Sequence, residues 1–385
     1  MHRPVAFDVI VIGVGGMGSA ALYHLARRGA AVLGLEQFDL LHARGSSHGV
    51  NRIIRLAYAE HPFYVPLLRR SYDLWRALET VAGERLLIVT GGLDIGLPES
   101  RVVSGSLRSC AVHQLPHEYL DAAAINARFP GYHLPRDFVG VLQPDGGFVL
   151  AERAIVAHVE GALSAGAEVH AREPVQHWDT DGPGVPGVIV RTNRATYRAR
   201  RLVITAGPWT SELIPSFRDL AVPERQVLLF TQPQHPEWFR PDRFPVFNMG
   251  APDGHFYGLP IYGVPGFKIG KYHHREQRGP VNDLDRQVDQ ADEDTVRNAL
   301  ERFFPDANGP TLAMTTCVFT NSPDEHFILD RHPQVPSVCI AAGFSGHGYK
   351  FCSVVGEIMA DLALDGGTRH DLSLFAVERF GNGER

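Results

Sequence analysis

A glycine-rich turn near the start of the chain, flanked by an apolar run and a helical pattern, constrains the fold most. Phe7 to Ile12 (FDVIVI) is rich in β-branched residues, which predicts a buried parallel strand. A helical pattern runs from Met17 to Arg28 and stops at Gly29, and Ala31 to Leu35 predicts a second strand. Strand, helix and strand form a βαβ unit, so the sequence predicts an α/β fold built on a parallel sheet.

The turn itself fits the pattern G-x-G-x-x-G. It consists of Gly13, Val14, Gly15, Gly16, Met17 and Gly18. Gly13 permits a tight turn, Gly15 lets the backbone approach a pyrophosphate, and Gly18 allows close packing of helix on strand. Glu36 ends the second strand, where a carboxylate accepts hydrogen bonds from ribose hydroxyls. These features predict a dinucleotide site; they do not separate FAD from NAD, but Glu36 argues against NADP, whose 2′-phosphate it would repel.

Two further strand–glycine–helix units lie far along the chain. Arg201 to Thr205 leads through Gly207 to a helix near Trp209, and Val338 to Ala342 leads to a helix near residues 351–364. We therefore predict a discontinuous Rossmann-like cofactor domain interleaved with an α+β substrate domain that carries an antiparallel sheet. The predicted cofactor domain comprises residues 1–85, 151–215 and 315–385, and the substrate domain comprises residues 86–150 and 216–314.

Composition excludes several classes of partner. A formal net charge of −6 gives no general reason to bind nucleic acid or an anionic membrane. Arg191 to Arg201 is locally basic, but its alternation is typical of the solvent face of strands, and Asp283 to Asp294 is predicted to be a solvated loop and helix start. No apolar stretch approaches the ~18 residues of a membrane-spanning helix. Four cysteines without a CxxC pair favour a reducing, cytoplasmic compartment.

Two segments near the C-terminus carry a more specific pattern. From Cys317 to Pro333 the chain reads Cys-x-x-Thr-x-x-Pro-Asp-Glu-x-Phe-Ile-x-Asp-x-His-Pro, and a glycine-punctuated turn (GFSGHGYK) follows at Gly343 to Lys350. Together with the turn at residues 13–18, these motifs resemble the monomeric sarcosine oxidase family of flavin amine oxidases. Relatives in that family include N-methyltryptophan and L-pipecolate oxidases, and the resemblance spans nearly the whole chain.

The resemblance implies that the cofactor is FAD and that Cys317 carries it covalently. Gly346, His347 and Gly348 would let the backbone approach the flavin ring, and the dipole of the following helix would stabilise negative charge on the reduced ring. The expected cofactor-binding residues are Gly13, Gly15, Gly16, Met17, Gly18, Glu36, Arg44, Ser46, Ser47, His48, Gly207, Cys317, Gly343, Gly346, His347, Gly348 and Lys350.

The resemblance also implies where a substrate carboxylate binds. Asn51 to Arg55 reads NRIIR, and its two arginines would share one face if a helix began here. By the family match Arg55 binds the carboxylate, Arg52 shapes the charge around the flavin, and Lys350 is the second cation. An arginine fork with a lysine suits an anionic amino acid, so amines without a carboxylate are expected to be poor substrates.

A lysine beside the flavin is expected to promote the reaction with O₂, because superoxide forms first and a fixed cation stabilises it. Lys268 best matches the family's lysine, although the histidine after it, His273, lies one residue further on than expected, so Lys271 remains an alternative. Tyr257 and His273 are expected to line the substrate pocket. Phe319 lies where sarcosine-specific members have a tyrosine, which favours a more apolar substrate than sarcosine.

The combined hypothesis is FAD-dependent oxidation of a secondary amino acid, N-methyl or cyclic, to an imine, with O₂ reduced to H₂O₂. Sarcosine, other N-methyl amino acids, pipecolate and proline all remain open as substrates. The alternatives are a flavin dehydrogenase of the same fold with another electron acceptor, a nicotinamide-dependent dehydrogenase and a non-catalytic flavin-binding protein. We expect a monomer without a metal site, in which Asp324, Glu325 and His326 serve loop structure rather than binding an ion.

Overall fold

The computed structural model describes residues 6–180 and 187–381. Its strands in chain order are β1 (Ala6–Ile12), β2 (Val32–Leu35), β3 (Asn51–Ile54), β4 (Leu87–Val89), β5 (Gly92–Gly96), β6 (Glu118–Asp121), β7 (Val139–Gln143), β8 (Gly147–Leu150), β9 (Glu168–His170), β10 (Val175–Thr180), β11 (Val188–Thr192), β12 (Thr196–Ile204), β13 (Val222–Thr231), β14 (Val246–Ala251), β15 (Gly254–Leu259), β16 (Phe267–Lys271), β17 (Thr311–Asn321), β18 (Ile328–His332) and β19 (Val335–Ala342). Its α-helices are α1 (Gly16–Arg27), α2 (Val65–Ala82), α3 (Arg101–His113), α4 (Ala122–Arg128), α5 (Ala151–Ser164), α6 (Thr210–Leu213), α7 (Gln290–Phe303) and α8 (Cys352–Leu364).

The first sheet contains the predicted Rossmann-like core. Strands β9, β2, β1, β12 and β19 lie side by side and parallel, while β10, β11 and β18 join this core through antiparallel pairs. The carboxyl ends of parallel strands meet at one edge of a sheet, so the turns after β1, β2, β12 and β19 converge there. The α/β fold class predicted from the sequence is confirmed.

Close packing of α1 against its neighbours explains one glycine in α1 and one in α8. A Cβ at Gly18 would lie 1.8 Å from the carbonyl oxygen of Gly13, so only glycine allows α1 to approach β1 this closely. On the other side α1 crosses α8, where a Cβ at Gly356 would lie 2.5 Å from the backbone of Ala20. Gly29, with a φ of +80°, ends the helix region as predicted.

The second sheet runs in the order β17-β13-β16-β15-β14-β5-β7-β6, and its described pairs are antiparallel except for β14 with β5. A small third sheet, β3-β8-β4, lies beside it. The domain boundary predicted at residue 315 falls inside β17, which pairs along its whole length with β13. Cys317 therefore belongs to the second sheet, although residues 315–385 were predicted to form part of the cofactor domain.

The structure changes two local interpretations. Asn51 to Ile54 is strand β3 and not a helix, because the β-branched pair Ile53-Ile54 pairs with β8; side chains alternate in a strand, so Arg52 and Arg55 do not share a helical face. The acidic stretch Asp283 to Asp294 contains the expected helix start, at Gln290, and is mostly exposed, but it is not all solvated. Asp292 is fully buried and forms an ion pair with Arg225 at 2.6 Å while its carboxylate also closes the N-terminal capping box of α7.

Other surface features follow the expectations. Arg191, Arg194 and Arg200 are exposed on or beside β11 and β12. Within the described ranges no helix is both long enough and apolar enough to cross a membrane.

Candidate active site

A cavity of about 410 Å³ extends from the converging turns of the first sheet to one face of the second sheet. The expected site residues that line it are Gly13, Gly15, Gly16, Met17, Glu36, Ser46, Ser47, Arg52, Arg55, Gly207, Tyr257, Lys268, Cys317, Gly346, His347, Gly348 and Lys350. Five others do not line it: Gly18, Arg44, His48, His273 and Gly343. The fold thus brings together most of the residues that were predicted from the sequence to form the site, although they come from distant segments.

The end of the cavity at the first sheet suits a dinucleotide. Glu36 is buried, and its carboxylate accepts hydrogen bonds from the backbone N–H groups of Val14 and Phe38, each at 3.0 Å. The first turn of α1 lines the cavity; its N-cap, Gly15, has no side chain, and the N–H group of Gly16 donates to Oγ of Ser47 at 3.2 Å. Free N–H groups and the positive end of the helix dipole bind phosphate, and the carboxylate edge binds ribose hydroxyls.

Three expected cofactor contacts have other roles. Arg44 is exposed and lies over the ring of Phe38, with 5.0 Å between its guanidinium carbon and the ring centre. Gly343 has a φ of +62° and shapes the turn after β19 without reaching the cavity. Gly18 acts through packing, as described above. His42, which the sequence did not single out, lines this end instead and lies 3.5 Å from the Glu36 carboxylate.

One face of the second sheet forms the opposite wall of the cavity. Asn248 pairs with Tyr257 across β14 and β15, and Leu259 pairs with Lys268 across β15 and β16. Because alternate side chains of a strand point to the same face, Asn248, Tyr257, Lys268, Tyr272 and Cys317 all reach the cavity. The Tyr257 ring lies over Gly270, where a Cβ would come within 2.6 Å of the ring.

Cys317 has the most acidic thiol of the four free cysteines. Burial raises a thiol pKa, but the adjacent His48 and the cations of Arg52 and Lys268 outweigh burial and lower the pKa of Cys317 to about 7. Its sulfur lies 3.7 Å from the guanidinium of Arg52. By contrast, burial raises the pKa of Cys110 to about 11 and that of Cys339 to about 12. A thiolate is the nucleophilic form of cysteine, so the thiol of Cys317 is more readily ionised than those of Cys110 and Cys339.

Lys268 is buried and held by three acceptors. Its Nζ donates to the backbone oxygens of Gly49 at 2.7 Å and Asn51 at 2.8 Å and to Oδ1 of Asn51 at 3.0 Å. Burial and the charge of Arg52 lower the pKa of Lys268. The three acceptors work in the opposite direction, because they match the three protons of an ammonium group. Lys271 lies three residues further along β16 and does not line the cavity, so Lys268 is the lysine of this pair that faces the site.

Arg55 is buried between two carboxylates that the sequence did not predict. Its guanidinium forms an ion pair with Glu60 at 2.9 Å and its Nε lies 3.2 Å from Asp94. Burial opposes the charge of Arg55, but the two carboxylates together raise its pKa above the ordinary range. For Asp94 burial prevails and raises the pKa, although Arg55 partly offsets it. Arg55 is therefore a fixed cation, part of whose hydrogen-bonding capacity the protein already uses.

Lys350 lies at the start of the segment leading into α8. Its Nζ donates to the backbone oxygen of His347 at 2.7 Å, and its ammonium lies over the ring of Tyr58. Burial and the nearby charge of Arg55 lower the pKa of Lys350 to about 7. The His347 ring is fixed by Tyr58, whose hydroxyl is 2.6 Å from Nδ1. These contacts hold Lys350 in the cavity wall and make its charge sensitive to an incoming carboxylate.

His273 is the expected pocket residue that the structure places elsewhere. Its backbone turns away with a φ of +54°, and its ring contacts Glu224 at 3.0 Å and Glu325 at 3.2 Å. Hydrogen bonds to these carboxylates raise the pKa of His273 to about 9. Tyr272 lines the cavity in its place, four residues after Lys268 and on the same face of the sheet. Strand alternation from Lys268 could have identified Tyr272 from the sequence.

One residue that holds the site, Glu152, carried no sequence signal. Glu152, at the start of α5, accepts hydrogen bonds from the backbone of Gly49 at 2.6 Å and Val50 at 3.0 Å and so fixes the loop that binds Lys268. Phe319 packs its ring against Gly346 and lines the cavity without a hydroxyl. The segment that was expected to serve loop structure makes such contacts: Asp324 pairs with Arg379, Glu325 with His273 and His326 with Tyr64.

Comparison with known proteins gives concordant matches over almost the entire chain. The model of the family described as FAD dependent oxidoreductase matches residues 8–362. The monomeric sarcosine oxidase of Streptomyces avermitilis is 44% identical, and the match covers 97% of each chain. The N-methyl-L-tryptophan oxidase of Citrobacter koseri is 35% identical, covering 97% of this chain and 99% of its own. The structure of NikD, an unusual amino acid oxidase essential for nikkomycin biosynthesis, has a TM-score of 0.81 at 28% identity, covering 96% of this chain and 97% of its own.

The cavity residues fit the cofactor that these matches imply. The phosphate-binding turn, the buried Glu36 carboxylate and the acidic thiol of Cys317 lie along one continuous cavity, as an extended flavin dinucleotide requires. The resemblance inferred from sequence motifs is confirmed, and a nicotinamide-dependent enzyme is excluded in favour of a flavoprotein. The chain therefore belongs to the FAD dependent oxidoreductase family and uses FAD.

Proposed function

We propose that this protein is an FAD-dependent oxidase that converts a secondary amino acid, N-methyl or cyclic, to an imine and reduces O₂ to H₂O₂. The observation that carries the proposal is the position of two buried cations, Arg55 and Lys350, in the same cavity as the dinucleotide turn. A small anionic substrate held there lies within the flavin site. The relatives' names, sarcosine oxidase and N-methyl-L-tryptophan oxidase, point to the same substrate class.

The protein's main task is to orient the substrate. Arg55 and Lys350 bind the carboxylate, which leaves the amine and its neighbouring C–H bond directed along the cavity. When bound, FAD accepts a hydride equivalent from that C–H bond and passes the electrons to O₂. The amine loses a proton before or during oxidation, so the neutral amine is the reactive form. The imine then hydrolyses; an N-methyl amino acid yields the primary amino acid and formaldehyde.

Lys268 is proposed as the cation that promotes the oxygen reaction. Its contacts with Gly49 and Asn51 fix the ammonium beside Arg52 in the cavity wall, so the site needs no rearrangement when negative charge develops on oxygen. Lys271 is outside the cavity and is not assigned this role. A buried, preorganised lysine favours an oxidase over a dehydrogenase that passes electrons to another acceptor.

Covalent attachment of FAD through Cys317 is the second part of the proposal. Cys317 would hold FAD through a thioether to its 8α-methyl carbon. Forming this bond from a thiol and a methyl group removes two electrons and two protons, and O₂ would take them up as H₂O₂. Support comes from the lowered pKa of Cys317 and from its position opposite the first sheet.

The monomeric state and a cytoplasmic location are also proposed. All four cysteines are free thiols, and Cys317 requires its free thiol for the proposed attachment. The name of the Streptomyces avermitilis relative supports a monomer. Light scattering of the purified holoprotein at several concentrations tests this: one species near 42.4 kDa is expected, and a species of twice that mass would contradict it.

Both flavin attachment and oxidase activity can be tested on one preparation of the purified protein. The purified protein is precipitated with acid, and the pellet and supernatant are examined for flavin absorbance; covalent FAD stays in the pellet. Peroxide release is then measured with N-methyl amino acids, pipecolate, proline and amines without a carboxylate. We expect peroxide from a secondary amino acid and none from the matched amine. Equal turnover of a dye acceptor with and without air, and no peroxide, would instead identify a dehydrogenase.

A further inference from the structure

The turn that holds Lys268 contains a β-branched residue in a strained conformation. Val50 has a φ of +73°, and the backbone N–H of Asn51 donates to the oxygen of Gly49 at 2.9 Å. A three-residue turn of this kind, a γ-turn with a positive central φ, is rare and strained, and the branched side chain of valine adds to the strain. Contacts from outside the turn are therefore needed to keep Val50 in this conformation.

Glu152 and the start of α5 supply these contacts. The Glu152 carboxylate accepts hydrogen bonds from the backbone N–H groups of Gly49 at 2.6 Å and Val50 at 3.0 Å. The N–H of Ala151, the first residue of α5, donates to the oxygen of Val50 at 2.8 Å. Hydrogen bonds to an ionised group are stronger than neutral ones, so the carboxylate is the main restraint on the turn.

A single peptide group joins Glu152 to Lys268. The C=O of Gly49 and the N–H of Val50 belong to the same planar peptide and point in opposite directions. The N–H donates to Glu152, while the oxygen accepts from Nζ of Lys268 at 2.7 Å. Rotating this peptide to the opposite orientation would bring Val50 to a negative φ and relieve its strain. The same rotation would point an N–H, instead of an oxygen, at the ammonium group.

Arg52 depends on the same turn. Its Nη1 donates to the oxygen of Asn51 at 3.0 Å, and this oxygen also accepts from Lys268 at 2.8 Å. Burial and the charge of Arg52 lower the pKa of Lys268, whereas the charge of Glu152 raises it. The ammonium form of Lys268 therefore relies on acceptors that stay in place against burial and against a neighbouring cation.

We propose that Glu152 is a positioning residue for the oxygen reaction. By holding the peptide between Gly49 and Val50 in its strained orientation, it keeps the Lys268 ammonium in the cavity wall. Glu152 does not itself line the cavity, so it acts through the turn. This inference rests on the proposed oxidase function and on the role of Lys268 within it.

The test separates the two half-reactions of the holoprotein. Photoreduced flavin is mixed with O₂ and its reoxidation is followed by stopped-flow absorbance, while reduction by the secondary amino acid that releases peroxide is measured without air. In Glu152→Ala, reoxidation should slow about tenfold or more, whereas reduction should change by less than about twofold. Glu152→Gln keeps an oxygen that can accept from both N–H groups and should retain most of the wild-type rate. Glu160→Ala, at an exposed position later in α5, is the matched control and should reoxidise at the wild-type rate.

Relief of the strain in Val50 gives a second measurement. Glycine adopts a positive φ without steric cost, so adding Val50→Gly to Glu152→Ala should restore part of the lost reoxidation rate. Crystal structures should show Val50 at a negative φ in Glu152→Ala and the wild-type peptide orientation in the double variant. Equal losses in Glu152→Gln and Glu152→Ala, or no recovery in the double variant, would overturn the proposal.

Lys268→Met in the same assay separates failure of this inference from failure of the oxidase proposal. Slow reoxidation in Lys268→Met with wild-type reoxidation in Glu152→Ala would overturn the role of Glu152 and leave the oxidase intact. Wild-type flavin that O₂ does not reoxidise would instead refute the oxidase proposal and, with it, a role of Glu152 in the oxygen reaction. The crystal structures would then still decide whether Glu152 sets the orientation of the turn.

Discussion

Replacing Arg52 by glutamine tests whether local cations prepare Cys317 for attachment of FAD. The Arg52 guanidinium lies 3.7 Å from the sulfur, so one unit charge at an effective dielectric constant of ~20 contributes about 4.5 kcal/mol. This corresponds to roughly a thousandfold change in the acid dissociation constant of the thiol. With its pKa at about 7, Cys317 is mostly thiolate at pH 8. Without Arg52, the thiolate fraction should fall to about 1%. Removing Arg52 also favours the charged form of Lys268, whose ammonium stabilises the thiolate and offsets part of this fall.

The assay is the rate of covalent attachment. Apoprotein is mixed with FAD at pH 8 in air, and flavin that precipitates with the protein in acid is measured over time. We expect attachment in Arg52→Gln to be slowed by up to about 100-fold, and to recover toward the wild-type rate near pH 10, because only thiolate reacts.

Arg44→Gln is the matched control, since Arg44 lies in the same loop but is exposed and outside the cavity. Equal rates for Arg52→Gln and Arg44→Gln at pH 8 would refute the electrostatic reasoning. Covalent flavin in Cys317→Ser would refute the attachment site itself.

Three further predictions follow from individual side chains. Lys268→Met should slow reoxidation of the reduced flavin by O₂ at least about 100-fold while flavin reduction by substrate changes little, which stopped-flow absorbance measures; equal losses in both steps would contradict the assignment. The pKa of Lys350 is about 7, so a carboxylate inhibitor should bind progressively less tightly as pH rises above 7, and Lys350→Met should remove this dependence. The raised pKa of His273, about 9 against 6.5 in the unfolded chain, stabilises the fold fully below pH 6.5 and loses its effect as pH rises through 9. After discounting for solvent screening, His273→Gln should cost about 1–2 kcal/mol in urea unfolding at pH 6 and little at pH 9.5; an equal cost at both would point to lost packing instead.

Local patterns were sufficient for the cofactor half of the molecule. The turn at Gly13 and the acid at Glu36 depend on contacts within one βαβ unit, where strand, turn and helix follow one another in the chain. Such units impose glycine at fixed positions for steric reasons, so the residue types reveal the structure. The motifs around Cys317 and Lys350 could also be recognised as similar to a known family, because each lies in one continuous segment of the sequence.

The substrate half depends on contacts between residues far apart in sequence. Asp94 meets Asn248 only because β5 pairs in parallel with β14, and the same carboxylate lies 3.2 Å from Arg55, which belongs to a distant segment of the chain. Nothing in the local sequence distinguishes such a carboxylate from an exposed one. The choice of Tyr272 over His273 was decided by a backbone turn at the end of β16.

The sequence by itself therefore determined the fold class and the dinucleotide turn, because short-range sterics dictate them, whereas the candidates for flavin attachment and carboxylate binding came from the resemblance to a known family. Only the tertiary structure decided which candidates share one cavity, what charge each carries and which unpredicted side chains complete the wall. Strand register sets which side chains meet, and burial sets their pKa values. Both properties arise only when strands from across the chain pack together, so the shape and polarity of the substrate pocket belong to the folded molecule.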